Sequence, residues 1–274
     1  MASPLRIGHI SDLHLRQHLA GTSAVAARRS RDMAALFTEA LQAMRAAAVS
    51  VVVVTGDLID HPDEPQDTPE ILRNGAQDLR LVGQALAGLA CPWIVLPGNH
   101  DHAELFQHEF GVHSRELDVH GVRLLAFHDW DRPMLTPAAE EEQIPQNVPR
   151  RVGAERRRFE SILADPDPRP QVHLQHYVIA PRCDEGWPHT YLDGEMLRDA
   201  LVADGRARLS LSGHFHPGVD SFSRGEVGSG TATWFCVAPA FCQTPHSFLL
   251  HDLALDGSLV TTRVDLRPTM ERSL

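Results

Sequence analysis

The apolar positions of the chain fall into two kinds of run. Leu5–Ser11, Val49–Val54, Cys91–Leu96, Val122–Phe127, Val172–Gln175 and Leu209–Leu211 are short and nearly continuous, which predicts strands. Val49–Val54 has no polar alternation, the pattern of a strand covered on both faces of a parallel sheet. Between these runs the apolar spacing turns helical. Met33, Leu36, Phe37, Ala40, Leu41 and Met44 form one stripe and predict a helix over Arg28–Ala48. Ile71, Leu72, Leu79, Val82 and Leu86 form another, entered through Thr68-Pro69 as N-cap and first helical residue. A short helix follows at Ala154–Leu163, and a further one is expected to be capped by Asp193 and stopped by Gly205. Strand and helix alternate, so the fold class is α/β.

Two stretches break the alternation. Trp130–Arg151 carries four prolines and the run Glu140-Glu141-Glu142, and reads as a long loop inserted near the functional face, 130–151. From Gly228 the strands Thr231–Val237, Ser247–Leu255 and Ser258–Val264 follow one another, the last two joined by an Asp256-Gly257 turn. Residues 228–266 are therefore expected to build a second, largely antiparallel sheet. No repeat or linker divides the chain, so a single domain over 1–274 is expected.

The strands share a peculiarity at their ends. Ser11-Asp12-Leu13-His14, Gly56-Asp57-Leu58-Ile59-Asp60, Gly98-Asn99-His100-Asp101, Gln175-His176 and Gly213-His214-Phe215-His216 each put carboxylate, carboxamide or imidazole where an apolar run stops. One Asp-x-His is ordinarily only a turn. Five such ends can converge, because ligands of open α/β sheets bind beyond the carboxyl ends of the strands. Asp12, His14, Asp57, Asn99, His176, His214 and His216 make a mixed oxygen and nitrogen donor set without thiolate. Such donors suit Mn, Fe, Zn or Co better than Ca or Mg. Seven donors are too many for one ion and right for two if a carboxylate bridges. Two such ions can share a hydroxide and clamp an in-line displacement at phosphorus. His128, ending a strand on the same face, and His189, in the loop after His176, are candidates for touching a substrate. His9 alternates inside the first strand and reads as a packed core residue.

Composition narrows the partners. A formal charge of −11 over 274 residues disfavours a sequence-independent grip on nucleic acid or anionic lipid. The basic cluster Arg150, Arg151, Arg156, Arg157 and Arg158 reads as an exposed helix face. The four cysteines form no Cys-x-x-Cys pair, and no apolar stretch approaches the roughly 18 residues of a membrane span. A cytoplasmic location is expected, with no membrane and no stable nucleic-acid partner; the oligomeric state is open, a homodimer included.

The ordered set Asp-x-His, Gly-Asp-x-x-Asp, Gly-Asn-His-Asp, His and Gly-His-x-His resembles the calcineurin-like metallophosphoesterase superfamily over positions 12–216. The resemblance implies two packed mixed sheets flanked by helices and a dinuclear centre. It implies that Asp12, His14 and His216 hold one metal, that Asn99, His176 and His214 hold the other, and that Asp57 bridges. It further implies a catalytic His100 at the phosphoryl group, oriented by Asp60. His61-Pro62 stands where the protein Ser/Thr phosphatases carry Arg-Gly, and the Asp-Leu-His-Leu form is closer to bacterial class III cyclic-nucleotide and glycerophosphodiester phosphodiesterases. Those often carry His-His-Pro at the fourth motif, where this chain has Gln175-His176-Tyr177. The implied reaction is metal-hydroxide attack on a small-molecule phosphodiester. A nuclease, a phosphomonoesterase and a non-catalytic metal-binding scaffold are the alternatives.

Overall fold

Val51, Val52, Val53 and Val54 are all fully buried, and the reason is a layer on either side of them. Val52 and Val54 meet the helices, whereas Val51 and Val53 meet a second sheet. The computed structural model describes residues 4–62, 68–111, 115–129, 148–226 and 228–267. In the first sheet Leu5–Ile10 (β1), Val51–Thr55 (β2) and Trp93–Leu96 (β3) run parallel. The second sheet contains Glu116–Val119 (β4), Val122–Ala126 (β5), Gln171–Leu174 (β6), Ala207–Ser212 (β7), Val219–Arg224 (β8) and Thr233–Val237 (β9). Its order is β4-β5-β6-β7-β9-β8, with β5, β6, β7 and β9 parallel.

Helices α1 (Met33–Ala46), α2 (Pro69–Ala87) and α3 (Ala103–Phe110) cover the outer face of the first sheet. Helices α4 (Gly153–Ala164) and α5 (Gly194–Asp204) cover the second. Between the sheets lies a core of Ile7, Val51, Val53, Leu96, Leu124, Val172, Leu209 and Leu211. Each such side chain contributes about 1.5–3 kcal/mol relative to exposure, which fixes the mutual position of the strand ends. The expected α/β class and the two helix-flanked mixed sheets are therefore observed.

Several expectations need correction. The C-terminal strands Ser247–Leu253 (β10) and Leu259–Asp265 (β11) do not form a sheet with β9; they extend the first one antiparallel to β1, giving β11-β10-β1-β2-β3. The hairpin reading of Asp256-Gly257 holds: Gly257 is left-handed and Asp256 accepts from Ser258 N. Helix α1 starts at Met33 rather than Arg28, because the backbone before it bonds elsewhere, Arg29 N to Cys242 O at 2.8 Å. Thr68 caps α2 as expected, accepting from Ile71 N, but Asp193 makes no capping bond and instead accepts from Arg156. The arginine cluster is only partly an exposed face: Arg157 is exposed, but its neighbours are taken up inside the fold. Arg151 is 1% exposed, paired with Asp129 and stacked on Phe127, and Arg158 donates to two backbone carbonyls. Elements α3, β4 and β8 have too few apolar residues to show as periodic runs. Most of the expected 130–151 insertion, residues 130–147 with Glu140–Glu142, lies outside the described residues. Among the described residues no helix is long and apolar enough to cross a membrane.

One polar string runs across four strands of the first sheet, on the face it turns to the apolar inter-sheet layer. Thr261 Oγ1 lies 2.9 Å from His251 Nδ1, His251 Nε2 lies 3.3 Å from His9 Nδ1, and His9 Nε2 lies 3.0 Å from Thr55 Oγ1. Neutral rings satisfy it throughout, since each offers one donor and one acceptor. Burial pushes His251 down to about 3 and His9 well below the usual imidazole range. Depressed folded-state values mean that this string stabilises fully above the unfolded pKa of about 6.5 and less as pH falls toward the folded values. Denaturant unfolding between pH 7 and pH 4 should therefore show a shallower loss of stability for His251→Gln than for the wild type. Equal slopes would show that the pair does not titrate on unfolding.

Candidate metal centre

Each expected donor sits just past a strand end, and the backbone there is unusual. Asp12 (φ 56°), His14 (φ 45°), Asp57 (φ 51°) and His214 (φ 66°) are all left-handed. That conformation costs an L-residue roughly 1–2 kcal/mol, so four together mark a place where side-chain direction outweighs backbone comfort. The loops after β1 and β2 run on side by side, with Asp12 N bonded to Gly56 O and His14 N to Asp57 O. Gly98 permits the third loop to close on them, because a Cβ there would collide with Asp57 Oδ1.

The side chains meet in two groups: Asp12, His14 and His216, and Asp57, His176 and His214. Asp57 joins them. Its Oδ2 lies 3.4 Å from His14 Nε2 and its Oδ1 lies 3.4 Å from His176 Nε2. Asn99 Oδ1 stands 3.1 Å from the same His176 nitrogen, and Asp12 Oδ1 stands 3.5 Å from His216 Nε2. The donor set fits metal ions. Asp12 Oδ1 and His14 Nε2 are buried without a hydrogen-bond partner, a cost that a cation between them removes. The carbonyl of Thr55 accepts from His176 Nδ1 at 2.7 Å, which leaves Nε2 with its lone pair toward the centre.

Electrostatics point the same way. Burial alone would lower His176, yet the Asp57 and Asp12 carboxylates raise it to about 9. His14, with burial dominant, falls to about 4, and His214 is held well below the usual imidazole range by burial and the nearby His176. A proton on His176 thus answers part of the buried negative charge, and a cation can replace it.

Behind the ligands, His100 Nδ1 lies 3.2 Å from Asp60 Oδ1. Burial raises Asp60, but bonds from His100 and His14 hold it well below the usual carboxylate range. His14, Asp60 and His100 also have ligand spacing among themselves. Arg28 Nη1 stands 3.1 Å from Asp60 Oδ1, so a cation already serves that oxygen and this group is a hydrogen-bond network.

Two expected substrate contacts fare differently. His128 is 2% exposed, and its ring lies edge-on to Phe106 of α3. His189 stays beside the centre, its ring 5.2 Å from that of His214 and its Nδ1 2.9 Å from Cys183 O.

Sequence reading missed two residues. Gln243 lies 2.8 Å from His216 Nδ1, and no local signal marks it. Asp101 does carry a signal, as the last residue of Gly-Asn-His-Asp. It accepts from Leu58 N, Ile59 N and Gly98 N at 3.1, 3.0 and 2.9 Å, tying the loop of Asp57 to that of Asn99. Burial and the nearby Asp57 charge push Asp101 up to about 7 against those donors. Asp101→Ala orphans three buried N–H groups at about 1–3 kcal/mol each, so unfolding should show a loss of several kcal/mol and dialysis a weakened hold on metal. An unchanged melting temperature would remove Asp101 from this role.

The calcineurin-like phosphoesterase family matches residues 5–218. Similar solved structures include a dimetal phosphatase from Danio rerio, 16% identical, TM-score 0.69, with 97% of each chain covered. A purple acid phosphatase from yellow lupin (Lupinus luteus) seeds is 13% identical, TM-score 0.64, covering 97% of this chain and 52% of that one. GAP50, the anchor in the inner membrane complex of Plasmodium, is 12% identical, TM-score 0.53, covering 97% and 86%. No curated protein sequence matches the chain. The match over most of the chain, on a sandwich whose strand ends gather these donors, places the protein in the calcineurin-like phosphoesterase family.

Proposed function

We propose that the protein is a dinuclear-metal-dependent hydrolase of a small-molecule phosphodiester, of the cyclic-nucleotide or glycerophosphodiester type. The observation that carries this reading is Asp57, whose two oxygens each lie 3.4 Å from a histidine of a different donor group. Asp12, His14 and His216 would hold one ion, Asn99, His176 and His214 the other, and Asp57 both. Ions of this kind, Mn, Fe or Zn, polarise a phosphoryl oxygen and make water a nucleophile near neutral pH.

The protein's own part begins with holding the phosphoryl group against His100. Asp60 engages Nδ1 of that ring, so Nε2 is the nitrogen left to carry a proton. Burial lowers His100, but Asp57 and Asp60 outweigh it and raise the value, which favours the protonated ring. As the P–O bond breaks, Nε2 gives its proton to the departing alkoxide. His189, at the edge of the centre, is the proposed contact to the rest of the substrate.

Acidic charge and the burial of Arg151 support a small molecule over nucleic acid, and the free cysteines agree with a reducing cytoplasm. Phosphomonoester hydrolysis is the second reading, favoured by the two neighbours described as phosphatases. Rates on cyclic nucleotides, glycerophosphodiesters, phosphomonoesters and single-stranded DNA, with defined metals, decide among these. A faster rate on monoesters, or degradation of DNA, overturns the diester reading, and no turnover of any of them points to a scaffold.

Elemental analysis after reconstitution should find two ions per chain, and Asp57→Asn should lose more metal than Asn99→Ala. A single ion in the wild type removes the dinuclear centre. His100→Ala should keep both ions and lose alkyl-diester hydrolysis by about 10²–10⁴-fold, while p-nitrophenyl esters, whose leaving group needs no proton, lose far less. Equal losses on both would mark His100 as a phosphate clamp.

A further inference from the structure

Asp60 is held by more than imidazoles. Three cationic or N–H groups converge on Oδ1: His100 Nδ1 at 3.2 Å, Arg28 Nη1 at 3.1 Å and His14 Nδ1 at 3.6 Å. The other oxygen, Oδ2, faces Arg16 Nε at 3.4 Å, and Arg16 Nη2 donates to the Asp60 carbonyl at 2.6 Å. Both arginine side chains are nearly buried, 11% exposed for Arg16 and 9% for Arg28. Neither belongs to a ligand motif; both come from the loop between β1 and α1.

That loop is braced far beyond what a solvated connection requires. Arg16 N bonds Ser30 O at 3.1 Å, closing the loop at its base, and Arg29 N bonds Cys242 O at 2.8 Å. Arg16 Nη1 donates to Ala20 O at 2.8 Å inside the loop. His18 N and Leu19 N both donate to the buried Asp78 of α2, at 2.7 and 3.1 Å. The result is that Arg16 and Arg28, twelve positions apart in the chain, arrive on the two oxygens of one carboxylate.

A nearly buried ion pair adds little net stability, because desolvating both charges costs about what their attraction returns. Orientation is what the arrangement does secure. A carboxylate can turn about its Cβ–Cγ bond; the hydrogen bond from Arg28 to Oδ1, with the Arg16 charge beside Oδ2, opposes that turn. Oδ1 is then presented where His100 Nδ1 meets it. Removing Arg28 leaves Arg16 as the only guanidinium, and the carboxylate is free to turn toward it and away from His100.

We propose that Arg28, with Arg16 opposite it, is a positioning residue that fixes the Asp60 carboxylate and through it the His100 ring, so that the β1–α1 loop belongs to the working site. The inference rests on the phosphoester-hydrolase reading above. Arg28→Ala should retain both ions and its kcat on an alkyl diester should fall about 10–10²-fold with KM nearly unchanged, the loss expected of a misplaced group. Arg28→Lys should recover part of it. In an Asp60→Asn background the same change should add less than about three-fold, since both act through one carboxylate. In the metal-free protein the imidazole ¹⁵N resonance of His100 should move in Arg28→Ala while that of the remote His251 stays in place. Additive losses, a raised KM with kcat intact, loss of an ion, or an unmoved His100 resonance would each overturn the proposal. A wild-type protein without phosphoester turnover would instead fail the functional reading, with the resonance experiment still deciding whether Arg28 sets His100.

Discussion

Burying two carboxylates side by side is the constraint on which the rest of the structure depends. Asp12 and Asp57 are 0% and 1% exposed at the ends of neighbouring parallel strands. Each buried charge carries a penalty of several kcal/mol unless opposite charge or donors surround it. Part of the answer is hydrogen bonding, His214 N to Asp12 Oδ2 and His100 N to Asp57 Oδ1. The rest is a ring of imidazoles that can carry a proton or face a cation. No single loop could supply those groups. The sandwich supplies them from five strand ends, and its apolar inter-sheet layer keeps the ends in register.

Backbone strain follows from that constraint. A strand that simply continued would carry Asp12 and Asp57 onto alternate faces of the sheet, away from one another's partners. Turning left-handed at Asp12, His14, Asp57 and His214 re-aims the side chains toward one point. The strain persists because the surroundings over-determine it. Asp101 ties the strained Asp57 loop to the loop of Asn99, and the paired backbones of 12–15 and 56–60 tie the Asp12 loop to the Asp57 loop.

Much of this was legible in the sequence, for a physical reason. Strands buried on both faces show as unbroken apolar runs, and donors at their ends show as polar punctuation; Val51–Val54 followed by Asp57 displays both. Long helices with one covered face, such as α1, show as stripes, whereas α3 buries only Phe106 and Phe110 and leaves no stripe to read. Sheet membership was not legible. β10 and β11 have the same local pattern whether they pair with β9 or with β1, since alternation describes a strand's faces and not its neighbour. Arg16, Arg28, Gln243 and the burial of Arg151 were invisible for a related reason. Their partners are distant in sequence, and an arginine that will be buried looks like one that will be solvated.

The placement of β10 is what the site requires of the C-terminus. The chain leaves the second sheet at Val237 and enters the first at Ser247, so residues 238–246 must cross between the sheets. They cross over the donor loops. Phe241 N bonds Ser11 O and Cys242 N bonds Asp12 O, each at 3.0 Å, while Gln243 reaches His216 and Cys242 O receives Arg29 N. One connection thus holds the β1–α1 loop at both its Asp12 and its Arg28 ends, together with the His216 ring. Had the last strands stayed in the second sheet, Asp12 would lose that tie, and a left-handed residue without it would relax. The antiparallel edge on an otherwise parallel sheet is therefore a consequence of stitching the two sheets together at the site.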